Sequence, residues 1–415
     1  MDTSISFIDN KEHWTYKNYK NDGINSIALY PAMMVDEMQE ELISEILKHI
    51  DDCKNVLDPF HGAGTSLIIA QKLGLSPIGI DINPLANLIT YVKLYNYNIE
   101  ELKNKTNTLI ENVKSCTNFE ILEFNNIDKW FRKDVKEDLS KIRHCIKMES
   151  DMNIRKFFWV SFANIVRKFS NSRSSTFKLH IKEKEKIENM ENNLIDKFFS
   201  DCQLNIEKIS VDYNKIGFTL YCGDSKEELN KIEDNSISII CTSPPYGDNG
   251  TTVTYGQFST LQLQWIDLDD LSENTKNINI NNSSIDANSL GGKKNIKETK
   301  ISCINEYLKN ITTEKHSKII NFVEDYKEVF ELMANKVKQG GYIIITLGNR
   351  KVDNIKVPFD EVNIELANSN NMKLIQKLSR DIVNKRMAGK VSNVENVGSV
   401  ESMKEEYIMI FRKEA

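Results

Sequence analysis

The sequence predicts an α/β fold: a doubly wound, Rossmann-like sheet of about seven strands with a mainly helical insertion. Three observations predict it. Short β-branched runs recur, each ending in turn residues: "NVLDPFHGAG", "PIGIDINP", "IGFTLYCGDS", "SISIICTSPPYG" and "GGYIIITLGN". Segments with helical apolar spacing stand between them. That rhythm stops from about Asn98 to Asn205, where charged helical runs such as "IKEKEKIENMENN" replace it.

Taken in order, Asn55 to Asp58 reads as a short buried strand, and a glycine-rich turn follows at His61–Gly64. Thr65 to Leu73 has helical spacing, and Gly74 is a natural stop. "PIGID" is a second strand; Asn83 can cap the next helix, with Pro84 in its first turn. Strand–turn–helix–strand–helix begins a doubly wound sheet. Residues 1–97 therefore form one half of the main domain, 98–205 the insertion, and 206–415 the other half. Within the last, the Asn- and Ser-rich tract from Ser272 to Lys294 has few apolar residues to offset its ordering entropy. A flexible loop is expected over about 272–312. "INFVEDYKEVFELMANKVKQGG" reads as an amphipathic helix, and "LIQKLSRDI" and "EEYIMIFRK" as two more strands.

A chain of 415 residues allows one large domain with insertions, or two domains. Hydrophobic content of 40% and charged content of 27% suit a folded soluble protein. No run is long enough to span a membrane, and "MDTSISFIDNKEH" has no apolar signal core, so a cytoplasmic protein without a membrane partner is expected. Seven cysteines, with no CxxC pair and no His at ligand spacing, predict free thiols and no metal site. The net charge of −6 argues against a uniformly basic surface but permits a local basic face.

Three constellations carry chemistry. Asp58, Gly62 and Gly64 lie between a strand and a helix, where glycine lets backbone approach a ligand. A full dinucleotide fingerprint needs a third glycine, and that position is Leu67, which disfavours a nicotinamide oxidoreductase. Asp81 ends the second strand, where a carboxylate can accept both hydroxyls of a ribose; capping the Asn83–Pro84 helix is an equal alternative. "SPPY" ends a strand expected beside the first, at the topological switch point. It offers a hydroxyl, rigid carbonyls and an aromatic ring, a set that can bind an amino group and stack a flat ring. A rigid turn with a packed tyrosine is the plainer alternative.

"DPFHGAGT", "GIDINP", "CGDS" and "TSPPYG", in that order and each at the carboxyl end of a predicted strand, resemble the amino-group DNA methyltransferases that use S-adenosylmethionine. The resemblance runs from about Tyr30 to the C-terminus, most of the insertion excluded. It implies that Asp58, Phe60, Gly62, Gly64 and Thr65 hold the methionine part of the cofactor, Asp81 the ribose, and that Asp224 approaches the adenine. "YPAMM" is similar to the family's cofactor-flanking element, which carries over Tyr30 and Pro31, although the usual basic-aromatic ending is absent. The catalytic set it implies is Ser243, Pro244, Pro245 and Tyr246. Ser243 and the Pro244 carbonyl would accept the hydrogens of the target amine, and Tyr246 would stack on the base. Neither a metal nor a covalent enzyme intermediate is implied. The substrate implied is double-stranded DNA, with the base flipped out of the duplex, and there is room for a restriction endonuclease partner. Serine at the first motif position favours the 4-amino group of cytosine; the 6-amino group of adenine is the alternative. An RNA methyltransferase acting on a guanine amino group is a further one, and a cofactor-binding regulator another.

From Arg155 to Lys186 nine Lys/Arg residues face two acids. Arg167, Lys168, Arg173, Ser174 and Lys178 are the candidate phosphate or base contacts; a solvated helix face is the alternative. After the proline corner, Tyr255 and Phe258 could shape a base pocket or join the core, and Trp265 reads as core. Lys385 and Arg386 are further candidate backbone contacts.

Overall fold

The computed structural model describes residues 5–247, 253–271, 284–292, 295–382, 390–394, 398–401 and 403–414. Lys385 and Arg386 lie outside the described residues, as does the stretch 272–283.

Seven strands form one sheet: β1 (Asn55–Asp58), β2 (Ser76–Asp81), β3 (Thr219–Cys222), β4 (Ile237–Thr242), β5 (Val337–Leu347), β6 (Met372–Asp381) and β7 (Glu405–Lys413). Their spatial order is β3-β2-β1-β4-β5-β7-β6. The first five pair in parallel, while β7 runs antiparallel to both β5 and β6. The central strands are apolar on both faces because helices cover both. Leu57, Ile240, Ile343 and Ile345 point into one core; Val56, Ile239, Cys241 and Ile344 point into the other. That period of two, read on adjacent strands, fixes the register.

The helices used below are α1 (Asp36–Leu47), α2 (Thr65–Lys72), α3 (Pro84–Leu94), α4 (Ile99–Ser115), α5 (Lys133–Lys147), α6 (Met152–Phe169), α7 (Leu194–Ile209), α8 (Ser225–Leu229), α9 (Tyr255–Trp265), α10 (Ser284–Asn288), α11 (His316–Lys336) and α12 (Phe359–Ser369). The stop signal at Gly74 works through backbone bonds. With φ at +77°, Gly74 lets its own N–H reach the Gln71 carbonyl (3.0 Å) and the Leu75 N–H reach that of Ala70 (2.8 Å), satisfying the end of α2. Asn83 caps α3 by accepting the Leu85 N–H at 3.1 Å, with Pro84 as first residue.

The polar tract expected as a loop over about 272–312 instead holds α10 and a further helix at Ser302–Leu308. Both are pinned from elsewhere. The Asp286 carboxylate accepts the N–H groups of Gly256 (2.9 Å) and Gln257 (3.1 Å), closing the start of α9. Glu365 accepts the Ser302 N–H (2.7 Å) and hydroxyl (2.9 Å). Ile285, Ile301, Ile304 and Leu308 are buried, so a few well-placed apolar residues order what composition alone would leave loose.

Helices α4 to α7 pack on one another and against α3 and α9 around Trp159, Phe162 and Phe198. Trp265, at the end of α9, is fully buried, with its ring edge-on to Phe124 (5.8 Å), Phe131 (5.4 Å) and Phe162 (6.3 Å). The Asp270 carboxylate accepts from Arg155 Nε (2.9 Å) and Trp159 Nε1 (2.7 Å). Arg155, one of the basic run, is thus an internal ion-pair partner that ties the insertion to the sheet domain. Trp265→Ala should cost about 3–5 kcal/mol, since it removes a fully buried indole at this junction. Urea unfolding followed by circular dichroism checks this; a loss below about 1 kcal/mol would mean that the junction repacks freely.

Candidate active site

Strands β1 and β4 are neighbours, but the chain leaves them in opposite directions along the sheet. A crevice opens beyond their carboxyl ends, where ligands settle in open α/β sheets. Asp58, the last residue of β1, is fully buried there. Its carboxylate accepts the Phe60 N–H at 3.0 Å and the Thr242 hydroxyl of β4 at 2.6 Å, together with the Ser66 hydroxyl of α2. Burial pushes its pKa up, and those three donors pull it back. Asp58 therefore builds the turn from behind and is not among the residues that line the crevice, so its part in the cofactor site is to hold that turn.

The turn itself needs its glycines. Gly62 and Gly64 sit at φ +49° and +77°. A Cβ on Gly64 would lie 2.6 Å from the Thr90 side chain, so this glycine packs the turn on α3 and does not face the cleft as expected. Gly62 does face it, and its N–H donates to Asp81 at 2.9 Å. The other Asp81 oxygen accepts the Asn83 N–H at 2.8 Å. Asn83, not Asp81, caps α3, and its amide also donates to Tyr30 (3.1 Å) and Ser259 (2.7 Å). Burial raises the Asp81 pKa, opposed first by the nearby His61.

The resulting cleft holds about 890 Å³ of empty space, its mouth included. Of the residues expected from sequence, Tyr30, Pro31, Phe60, Gly62, Thr65, Asp81, Asp224, Ser243, Pro245 and Tyr255 line it. Asp224 also caps α8, accepting the Lys226 N–H at 2.8 Å. Pro244 and Tyr246 stand outside the wall. Pro244 is buried. The Tyr246 ring packs so close to Gly348 that a Cβ there would come within 3.1 Å of it, and its hydroxyl meets Ser243 and Glu406. This placement differs from the expected base-stacking role, because the corner turns the ring back into the protein.

Sequence reading missed the opposite wall. Ile285, Asn288, Ser289 and Leu290 line the cleft from the tract expected as loop, and Met33 and Ile82 add apolar surface. His61 also lines it; its ring meets Asn87 Oδ1 at 3.2 Å and the Gly62 carbonyl at 2.9 Å. Its place inside the glycine turn was the available signal. Tyr255 stacks on Tyr30 (5.9 Å), and Phe258 stands edge-on to the same ring (5.9 Å) and is buried.

The basic segment ends beside this cleft. Residues 171–182 fold back on themselves: the Arg173 N–H donates to His180 (2.7 Å), and the Lys182 N–H to Asn171 (2.8 Å). Phe177 packs edge-on to Phe258 (5.8 Å). Arg173, Ser174 and Lys178 are exposed at the tip, and Lys168 is exposed on α6. Arg167 is not open in the way expected. Its guanidinium lies 5.1 Å from the Phe258 ring centre and donates to the Thr176 carbonyl at 2.8 Å; burial lowers its pKa to about 10. It supports the hairpin.

Lys93 of α3 is fully buried, and its Nζ donates to the Ala63 carbonyl in the glycine turn at 2.8 Å. Burial depresses its pKa to about 7. Between about pH 7 and 10 the folded chain holds fewer protons here than the unfolded chain, so this lysine adds stability as pH rises and loses it as pH falls to 7. The melting temperature of the native chain, minus that of Lys93→Met, should therefore grow from pH 7 to pH 9. A pH-independent difference in thermal melts would contradict this.

A family model described as DNA methylase matches residues 5–91. The Type II methyltransferase M.MvaI of Kocuria varians is 30% identical over 401 residues, which span 89% of this chain and 87% of that protein. The Type II methyltransferase M.MjaII of Methanocaldococcus jannaschii is 28% identical over 159 residues, 35% of this chain and 29% of its own. A DNA modification methylase structure from Thermus thermophilus, complexed with S-adenosyl-L-methionine, shares 13% identity over 46% of this chain and 53% of that one, with a TM-score of 0.23, too low to bear on the assignment. Aligned with the first of these relatives over nearly the whole of both proteins, the chain belongs to the Type II DNA methyltransferases, amino-group-modifying enzymes that depend on S-adenosyl-L-methionine.

Proposed function

We propose that the chain methylates the 4-amino group of cytosine in double-stranded DNA. The observation that carries this reading is that one cleft is lined both by Gly62 and Asp81 and by Ser243 and Pro245. S-adenosyl-L-methionine, when bound, supplies an electrophilic methyl group. The residues present fit it. Gly62, at φ +49°, keeps the turn beside Tyr30 free of side-chain atoms. Asp81 would offer carboxylate lone pairs to ribose hydroxyls, and Asp224, which lines the same cleft, would meet the adenine. Phe60, Met33 and Leu290 give apolar surface for the adenine ring.

An exocyclic amine is a poor nucleophile because its lone pair is delocalised into the ring. Ser243 Oγ can accept one of its hydrogens and favour a pyramidal nitrogen, so catalysis here is placement and electrostatics. Serine at this position is the motif form that favours cytosine; adenine is the competing target. The amine lies inside a duplex, so the base must be flipped into the cleft. The exposed tip of the 171–182 hairpin, whose Phe177 packs on Phe258 and so on the cleft-lining Tyr30, is the proposed DNA contact, together with Lys168 of α6. A restriction endonuclease of matching specificity is the proposed companion.

Nucleoside mass spectrometry of duplex DNA incubated with the chain and labelled donor should find N4-methylcytosine. N6-methyladenine would replace the cytosine reading, and label in RNA alone would end the DNA reading. Ser243→Ala should lower turnover with donor affinity near normal, whereas Asp81→Ala should weaken donor binding about tenfold or more, read by calorimetry. Arg173→Ala with Lys178→Ala should weaken DNA binding and reduce the log–log salt slope by about two; an unchanged slope would place the DNA elsewhere.

A further inference from the structure

We infer that Glu406 is a positioning residue that fixes the hydrogen-bond polarity of Ser243, so that the cleft presents an acceptor to the target base and selects an amino group over a keto oxygen. The inference rests on the amino-group reading above and adds a residue distant from every motif in the chain. Glu406 lies on β7, directly opposite Arg380 of β6. Its Oε2 is 3.7 Å from the Arg380 Nε, and both side chains are largely buried. A guanidinium at that distance favours the ionised carboxylate.

The rest follows from counting protons. An ionised carboxylate can only accept a hydrogen bond. The Tyr246 hydroxyl, 3.2 Å from Glu406 Oε1, must therefore be the donor of that pair. A phenol has one proton. In its other contact, 3.2 Å from Ser243 Oγ, Tyr246 is then the acceptor and Ser243 the donor. Serine also has one proton, now directed at Tyr246. What Ser243 shows to the cleft it lines is a lone pair. A base N–H finds a partner there, and a carbonyl oxygen meets another lone pair. Sites built around one hydrogen bond reject the analogue lacking it strongly, because a buried polar atom is left unmatched. Burial, followed by the Glu406 charge, holds the Tyr246 hydroxyl in its protonated form by raising its pKa well above the ordinary range. A glutamine at 406 could donate instead and reverse every bond in the series.

The test uses the full chain and a duplex carrying its mapped site. Glu406→Gln should lower kcat about 10- to 100-fold with donor affinity unchanged. Tyr246→Phe keeps the ring but breaks the series, and should fall by a similar factor. The double variant should be no worse than the lower single one, as expected of residues acting through one path. Glu406→Asp, still an ionised acceptor, should recover part of the loss. Binding adds a second readout. The native chain should prefer a duplex with cytosine at the target over one with uracil, and Glu406→Gln should lose most of that preference. Losses that multiply in the double variant, or a preference untouched in Glu406→Gln, overturn the inference. If Ser243→Ala keeps full turnover, the amino-group reading fails; if that variant falls and Glu406→Gln does not, this inference alone fails.

Discussion

A buried carboxylate organises the centre of this molecule. Asp58 sits at the end of β1 with no exposure to solvent, and such a charge is tolerated only when donors surround it. Its donors come from three places: the start of the glycine turn, the first turn of α2 and the end of β4. One side chain thus sets the distance between the segment that holds Gly62 and the segment that holds Ser243. A second carboxylate repeats the device one strand over, where Asp81 takes N–H groups from Gly62 and Asn83. The cleft is shaped by these acceptors and by the close packing of Gly64 on Thr90.

The sheet and the two ends of the cleft were legible in sequence because their signals are local. Strand runs ending in glycine or proline, a capping asparagine before proline and a glycine after the last helical residue each have a short-range cause, and each is realised here. The wall formed by α10 was not legible. Its ordering comes from Asp286, which reaches back to the start of α9, thirty residues earlier in the chain. Composition sees a polar tract; only the fold shows where its carboxylate goes. The same holds for Arg155 and Arg167. Charge density marked them as surface, yet Asp270 and the Phe258 ring claim them.

Tyr246 shows a subtler limit. The sequence places an aromatic ring next to a rigid corner, and a ring beside a base pocket suggests stacking. Direction is not contained in the motif. It is set by Gly348, whose missing side chain leaves space for the ring, and by Glu406, which draws the hydroxyl away from the opening. Both belong to strands or turns far along the chain, and neither has a recognisable pattern of its own.

The hairpin at 171–182 is held by backbone bonds, by the inward ring of Phe177 and by side-chain bonds from Arg167 to the Thr176 carbonyl and from Arg173 to the Ile181 carbonyl. Ser174 and Lys178 are exposed at its tip. Replacing them changes which chemical groups point outward while leaving the scaffold and the reaction centre intact, since exposed substitutions away from structural contacts usually alter stability by only about half a kcal/mol. On the proposed reading, in which this tip meets DNA, what is recognised can therefore diversify without disturbing the residues that line the cleft.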